Sequence, residues 1–400
     1  MTETLPAQLP TAEWTQRDDL AALVAALGDG NARYVGGAVR DTLLGIDVKD
    51  IDLATVLVPD AVIERLTAAG IRSVPTGIAH GTVTAVLAHG PVEITTLRHD
   101  VSTDGRRATV AFASDWREDA ARRDFTINAL YADPATHAVF DWFGGLADLA
   151  ARRVRFIGDA RQRIREDHLR ILRYFRFQAR FGSQPADEQA EQACAALAGT
   201  LKGLSRERIG MEFLNLLGLP DPAPTLARMA ELGVLDHVLP QADVSALARL
   251  VGEEQRQAAP PDAIRRLAAL LPPDRALAEQ VAARFRLSGA QKKRLAGAAD
   301  RIGGPKHARA LAYHVGREEA LDWLLLEGGD IAPLIDWQIP VFPLKGGAVV
   351  SRGVAAGPEV ARIMLMIEAH WVAEGFPGPE RVQELLDNEL GGPPAQPPES

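Results

Sequence analysis

The chain predicts an α/β head followed by an all-α remainder, and three observations carry that expectation. Short apolar stretches alternate with helix-patterned ones from 33 to 97, a strand–Gly–Gly–helix turn stands at their start, and beyond about residue 150 helical periodicity takes over almost completely. The 400 residues exceed one ordinary domain, and 47% hydrophobic with 24% charged residues is a globular composition. The first residues carry no basic leader and no apolar run reaches the length of a membrane span, so a cytoplasmic protein with no membrane partner is expected. The single cysteine, Cys194, excludes an internal disulfide and a thiolate zinc cluster.

Residues 14 to 27 open as a helix, with Leu20, Leu23, Val24 and Leu27 at helical spacing. A short strand is expected at 33 to 35, broken by Gly36 and Gly37, and then a helix over 38 to 44 that stops at Gly45. Paired glycines at such a turn let backbone N–H groups approach an anion with the positive end of the helix dipole behind them, and Arg40 could add a bidentate contact to phosphate. Asp50 and Asp52 flank Ile51 on the next expected strand, so both carboxylates share a face. Two hard oxygen ligands suit Mg2+, completed by substrate phosphate oxygens. Each piece alone has a plainer reading, a turn or a solvated strand edge; their closeness is what informs.

Strands are expected at 71 to 76, 82 to 87 and 92 to 97, the last two forming a hairpin across His89-Gly-Pro91. Glu93 lies on a face shared with either the aspartates or solvent. The polar stretch 98 to 112 reads as a surface loop whose Asp100, Asp104, Arg106 and Arg107 would suit a mobile element near charged substrate. Ser114 is expected to cap a helix running to Arg123, followed by Asp124-Phe125 and an apolar segment, 126 to 130, with Asn128 fixing backbone. A strand and turn over 139 to 145 close the head near residue 150.

Helices are then expected at 159 to 181, 187 to 200, 205 to 218, 222 to 233, 243 to 257, 262 to 271, 274 to 286, 288 to 302 and 306 to 327, punctuated by Pro260-Pro261 and Pro272-Pro273. The Pro-rich end, 391 to 400, reads as disordered. On the first of these helices Asp167, Arg170, Arg173 and Arg176 advance by three residues, so each neighbours the next while the row winds around the axis. A carboxylate at Asp167 could accept from an exocyclic amino group while Arg170 donates to the adjoining ring nitrogen, a polarity offered by cytosine and adenine and inverted by uracil and guanine. A surface helix laced with ion pairs explains the same row.

The net charge of −9 argues against a polyanionic partner, but its distribution does not. Residues 98 to 180 hold 16 Arg, no Lys and 12 acidic residues, a local +4 that leaves −13 elsewhere. A basic, Arg-only middle favours bidentate phosphate or base contacts. Lys292-Lys-Arg294 and Arg265-Arg266 read as either further RNA contacts or solvated helix faces.

In order and spacing, Gly36-Gly-Ala-Val-Arg-Asp41, Asp50-Ile-Asp52, Arg122-Arg-Asp-Phe-Thr-Ile-Asn-Ala-Leu130 and Glu166-Asp-x-x-Arg-x-x-Arg-x-x-Arg-Phe177 resemble the class II tRNA nucleotidyltransferase and bacterial poly(A) polymerase family. The resemblance covers roughly residues 30 to 220 and continues more weakly at Phe342-Pro-Leu-Lys-Gly-Gly and 357 to 361. It implies a head (1–150) with a mixed-sheet palm, a neck (151–220), a body (221–330) and a tRNA-binding tail (331–390). It further implies Asp50 and Asp52 as catalytic Mg2+ ligands and Glu93 as a third acidic group. Gly36, Gly37 and Arg40 would hold the incoming triphosphate and Arg123 the nucleotide. Asp167 and Arg170 would read the base, Arg173 and Arg176 would continue the nucleotide-binding row, and 100 to 107 would form the flexible loop linked with switching from C to A addition.

The implied activity is completion of a tRNA 3′ end with CCA from CTP and ATP by two-metal nucleotidyl transfer, with release of pyrophosphate. A poly(A) polymerase shares the parts, although the last ten residues lack the strongly basic extension such enzymes often carry. The same parts would serve an enzyme that adds only A, and a catalytically inactive RNA-binding protein could keep the fold without the chemistry. A phosphatase built on Asp50-x-Asp52 is disfavoured by Ala54.

Overall fold

The computed structural model describes residues 8–104, 107–113, 115–301 and 307–391. The chain divides into two compact units, 1–242 and 243–400.

The strands of the first unit are β1 (Ala32–Val35), β2 (Ile51–Thr55), β3 (Ser73–Gly77), β4 (Thr82–Leu87), β5 (Gly90–Thr96), β6 (Arg98–Asp104), β7 (Arg107–Phe112), β8 (Leu130–Ala132) and β9 (Val139–Asp141). Seven of them form one sheet in the order β3-β4-β5-β2-β1-β8-β9. Neighbours are antiparallel except β2 and β5, which run parallel, so the sheet is mixed as expected. The central strand β2 sits deep, with Leu53 and Thr55 wholly buried and Ile51 and Ala54 nearly so.

Before and among the first of these strands come α1 (Asp18–Leu27), α2 (Gly37–Leu43) and α3 (Pro59–Ala68). Helices α1 and α3 lie against each other and against β4, burying Leu20, Leu23, Leu27, Val62 and Leu66. A second apolar layer joins Val35, Ala54, Leu97, Tyr131 and Ala120, the last from α4 (Trp116–Ala121). Side chains alternate along a strand, so Asp52 projects on the side of Ala54 and Leu53 on the other.

Two expectations for the first unit change here. The stretch 98 to 112, read as a loop, is a two-stranded β6–β7 ribbon outside the main sheet. Its second half, Ala108 to Phe112, is a run of apolar and β-branched residues, a signal that the density of charge before it obscured. Helix α4 is capped by Asp115, whose carboxylate accepts the Arg117 N–H at 2.8 Å; Ser114, expected in that role, lies outside the described residues.

After α5 (Gly145–Ala150), the helix expected over 159 to 181 is two: α6 (Ala160–Glu166) and α7 (Arg170–Phe181). Asp167 leaves α6 in an extended conformation, φ −150° and ψ 106°. Its side chain takes the Leu169 N–H at 3.1 Å, the local competition by which Asp ends helices. The unit closes with α8 (Glu188–Leu197), α9 (Arg206–Leu217), α10 (Ala223–Glu231) and α11 (Leu235–Val238), α9 packing along α7.

The second unit comprises α12 (Val244–Arg256), α13 (Ala263–Ala269), α14 (Arg275–Arg284), α15 (Gly289–Ala299), α16 (Ala308–Val315), α17 (Arg317–Leu326), α18 (Gly346–Val350), α19 (Pro358–Ala373) and α20 (Pro379–Glu389). Gly316, at φ 89°, splits the expected helix 306 to 327. Two apolar clusters hold the unit, one around Trp323, Leu325 and Leu334, the other around Ile363, Trp371 and Leu386.

Arg265 and Arg266 are buried and Arg294 is half-buried, all three engaged by carboxylates of their own unit. Arg265 and Arg266 clasp the buried Glu254, each at 2.8 Å. Arg294 binds Asp322 at 2.7 and 2.9 Å and reaches Asp262 and Glu318. Sequence proximity to other cations misled, because the carboxylates that neutralise these arginines come from other parts of the unit, as Asp322 does for Arg294 across 28 residues. Lys292 and Lys293 are exposed. Among the described residues no helix is long and apolar enough to cross a membrane. The Pro-rich end lies, apart from Gly391, outside the described residues.

Candidate active site

Gly36 turns β1 into α2 at φ 66°, ψ −118°, a conformation that strains any residue with a Cβ. A Cβ on Gly36 would stand 3.4 Å from Nη1 of Arg123, and one on Gly37 would stand 3.8 Å from Nη2 of Arg40. Two guanidinium groups thus lie against the glycine pair, and the first-turn N–H groups of α2 have no intrahelical partners. Attraction for an anion comes here from those donors more than from a macrodipole, since α2 has only seven residues.

The two arginines are not equivalent. Arg40 is 5% exposed; its Nε donates to Asp41 at 2.7 Å, Nη1 to Asn128, and its guanidinium lies 4.1 Å over the Phe181 ring. Asn128 also donates to Asp124 at 3.0 Å, so this side chain, expected only to fix backbone, links two motifs. Arg123 keeps 22% of its side chain exposed. Its Nε donates to the Tyr131 hydroxyl at 2.9 Å and Nη2 to Asp119 at 3.4 Å, while Tyr131 donates to Asp119 at 2.5 Å. Burial works against the Arg123 charge, but the Tyr131 oxygen and Asp119 outweigh it and raise its pKa.

The carboxylates converge by register. Asp52 on β2 is the direct parallel-ladder partner of Glu93 on β5, which places the two side chains on one face, and Asp50 lies two residues before Asp52. Asp52 is half-buried, whereas Asp50 and Glu93 are exposed. Burial, then the neighbouring Glu93 carboxylate, holds the Asp52 carboxyl above the usual range; Arg123 opposes this and Asp50 adds to it. Such crowding of negative charge is relieved by a cation. Among the described residues no three His, Cys, Asp or Glu side chains form a ready metal cage. The donor set fits Mg2+ in the form that takes one or two carboxylates and completes its shell from water and substrate phosphates.

At the α6–α7 break, Asp167 accepts from Leu169 N–H through Oδ1 and from Arg208 Nη2, at 2.7 Å, through Oδ2. Arg170 donates to Glu166 at 2.6 Å and to the carbonyls of Arg163 and Arg122 at 2.9 and 3.1 Å. These bonds use one lone pair on each Asp167 oxygen and, among the described residues, involve the Nη atoms of Arg170 and not its Nε–H. The rest of the row is tied down: Arg173 donates to Asp124 at 2.7 Å and Arg176 to both oxygens of Glu212 at 3.0 Å. Arg106 lies outside the described residues, as do the side chains of Asp100, Asp104 and Arg107.

Asp119, Asp124, Tyr131, Arg208 and Glu212 were not singled out by sequence. Only Asp124 had a signal, its place directly after two arginines; the others act across 4 to 41 residues without a motif.

Residues 32–155 match the model of the Poly A polymerase head domain, and residues 186–245 that of the probable RNA and SrmB-binding site of polymerase A. The mitochondrial CCA tRNA nucleotidyltransferase 1 of Mus musculus is 34% identical over 363 residues, covering 86% of this chain and 83% of that protein. The CCA-adding enzyme of Leuconostoc citreum is 44% identical over 189 residues, 46% of this chain and 45% of that one. Among solved structures, the Bacillus stearothermophilus CCA-adding enzyme in complex with CTP superposes with a TM-score of 0.72 at 25% identity, covering 93% of this chain and 97% of that chain. The Thermotoga maritima CCA-adding enzyme complexed with tRNA shares the fold at a TM-score of 0.66 and 21% identity, covering 90% and 91% of the respective chains.

Proposed function

We propose, for a chain that belongs to the CCA tRNA nucleotidyltransferase family, that it completes tRNA 3′ ends with C, C and A from CTP and ATP, releasing pyrophosphate. The observation that carries this reading is the juxtaposition of Asp52 and Glu93 on adjacent strands with a Gly36–Gly37 turn flanked by Arg123 and Arg40. In this reading residues 1–150 are the catalytic head, 151–220 the neck that selects the base, 221–330 the body and 331–390 the tail that meets tRNA.

The α2 N–H groups and Arg123 receive the triphosphate, held close because neither glycine has a side chain. Arg40 shapes that turn from beneath, its own donors being engaged by Asp41 and Asn128. Asp50 and Asp52, with Glu93 alongside, would hold Mg2+, which when bound supplies acidification of the attacking 3′-hydroxyl and neutralisation of phosphate charge. Asp167 accepts from the exocyclic amino group of cytosine or adenine and Arg170 donates to the adjoining ring nitrogen. Uracil and guanine would set donor against donor and acceptor against acceptor, leaving polar groups unpaired, which is the strong form of rejection.

A cytoplasmic setting belongs to the same reading; the single buried thiol, Cys194, fits a reducing compartment. The mouse relative is mitochondrial, so fractionation decides.

The test offers CTP, ATP, UTP and GTP singly to tRNA ending before CCA, after C and after CC. Ordered incorporation of C, C and then A is expected. Addition of A alone, and only to the CC end, would reduce the activity to A addition. Long A tails on unrelated RNA would make it a poly(A) polymerase, and no incorporation by folded protein would leave an RNA-binding role.

A further inference from the structure

We infer that Arg208 is a positioning residue for base selection, holding the Asp167 carboxylate in the orientation that reads the incoming base. The inference rests on the reading of Asp167 as the base-accepting group.

Asp167 lies outside both helices, on extended backbone, where no helical turn restrains its side chain. One local bond, from Leu169 N–H at 3.1 Å, fixes one carboxylate oxygen and leaves the plane of the group free to swing about it. The second hold, Arg208 Nη2 on the other oxygen at 2.7 Å, comes from 41 residues away and fixes that plane. Hydrogen-bond readout depends on such orientation, because a carboxylate turned out of the base plane loses the directional bond that tells an amino group from a carbonyl.

The placement of Arg208 is itself determined. It stands in the first turn of α9, and Glu212, one turn further on the same face, grips Arg176 through two bonds of 3.0 Å. Helix α9 thus presents a cation and then an anion to Asp167 and then Arg176, and a slip by one turn would set like charges together. The Arg208 and Asp167 side chains remain 38% and 31% exposed. An ion pair that open contributes little to folding, yet it is accessible to a ligand.

The test measures kcat/KM for all four nucleotides on tRNA ending after CC and before CCA, with unfolding midpoints recorded for every variant. Arg208→Ala is expected to keep the wild-type midpoint and to lower selectivity for C and A over U and G by about tenfold, through a higher KM for the correct nucleotides. Arg208→Lys restores part of it. Because Arg208 acts through Asp167, the double variant Asp167→Ala/Arg208→Ala should be no less selective than Asp167→Ala alone. Unchanged selectivity in Arg208→Ala, or an additional loss in the double variant, would overturn the inference while leaving Asp167 as the reader. Full selectivity in Asp167→Ala would instead remove the base-reading premise, and the role of Arg208 with it.

Discussion

At the scale of single residues, Asp52 carries opposed demands. Burial and Glu93 raise its pKa, so the folded protein disfavours the charge that the proposed metal-binding role would require. A carboxyl with a raised folded pKa costs stability at neutral pH, and that cost is relieved as pH falls through the folded value. Asp52→Asn should therefore raise the unfolding midpoint at pH 7 while abolishing incorporation. Asp52→Ala should lower incorporation about a thousandfold or more, roughly 4 kcal/mol of transition-state stabilisation. Nucleotide binding, measured by filter retention, should partly survive because the loss falls mainly on the transition state. Asp50 and Asp52 were legible in the sequence as a spaced carboxylate pair, although only Asp52 lies on β2 and Asp50 stands just before its first residue. Their setting was not, because Glu93 becomes a neighbour only through a parallel ladder that joins strands about 40 residues apart.

Among the elements, α7 and α9 show how a motif can be visible while its duties stay hidden. The three-residue step of Arg170, Arg173 and Arg176 was plain, but the carboxylates that engage the last two, Asp124 and Glu212, lie 49 and 36 residues away. These two arginines tie α7 to Asp124 and to α9. Glu212 is 4% exposed. Its removal takes both carboxylate bonds from the half-buried Arg176 while Arg173 keeps Asp124, so Glu212→Ala should cost about 3 kcal/mol in urea-induced unfolding of the first unit, with Glu212→Gln costing less. The α6–α7 break was illegible for a related reason. Helical periodicity runs unbroken across 159 to 181, and only the local bond from Asp167 to Leu169 N–H decides that the helix stops. The central strands and most later helices were legible because burial of a single periodic face is enough to define each one.

For the whole molecule, acid should undo the first unit through Asp119 and Asp124. Burial pushes each upward, but Arg123 and Arg122 around Asp119, and Arg173 with Asn128 around Asp124, hold both below the usual carboxylate range. A depressed folded pKa contributes stability that is complete above the unfolded value, about 3.9, and is lost as pH falls through the folded value. The urea midpoint should hold steady from pH 7 to 5 and decline below about pH 4; a flat profile to pH 2 would contradict the assignment. The second unit keeps its own buried ion pairs around Glu254 and Asp322, and their desolvation cost shrinks on heating. The place of β2 has a consequence of another kind. Its residues pair with β1 on one side and β5 on the other, so in deuterated solvent the amides of 51 to 55 should be among the last in the first unit to exchange. The strand that carries Asp52 would then be one of the first unit's slow clocks, still keeping its protons when loops and helix ends have long lost theirs.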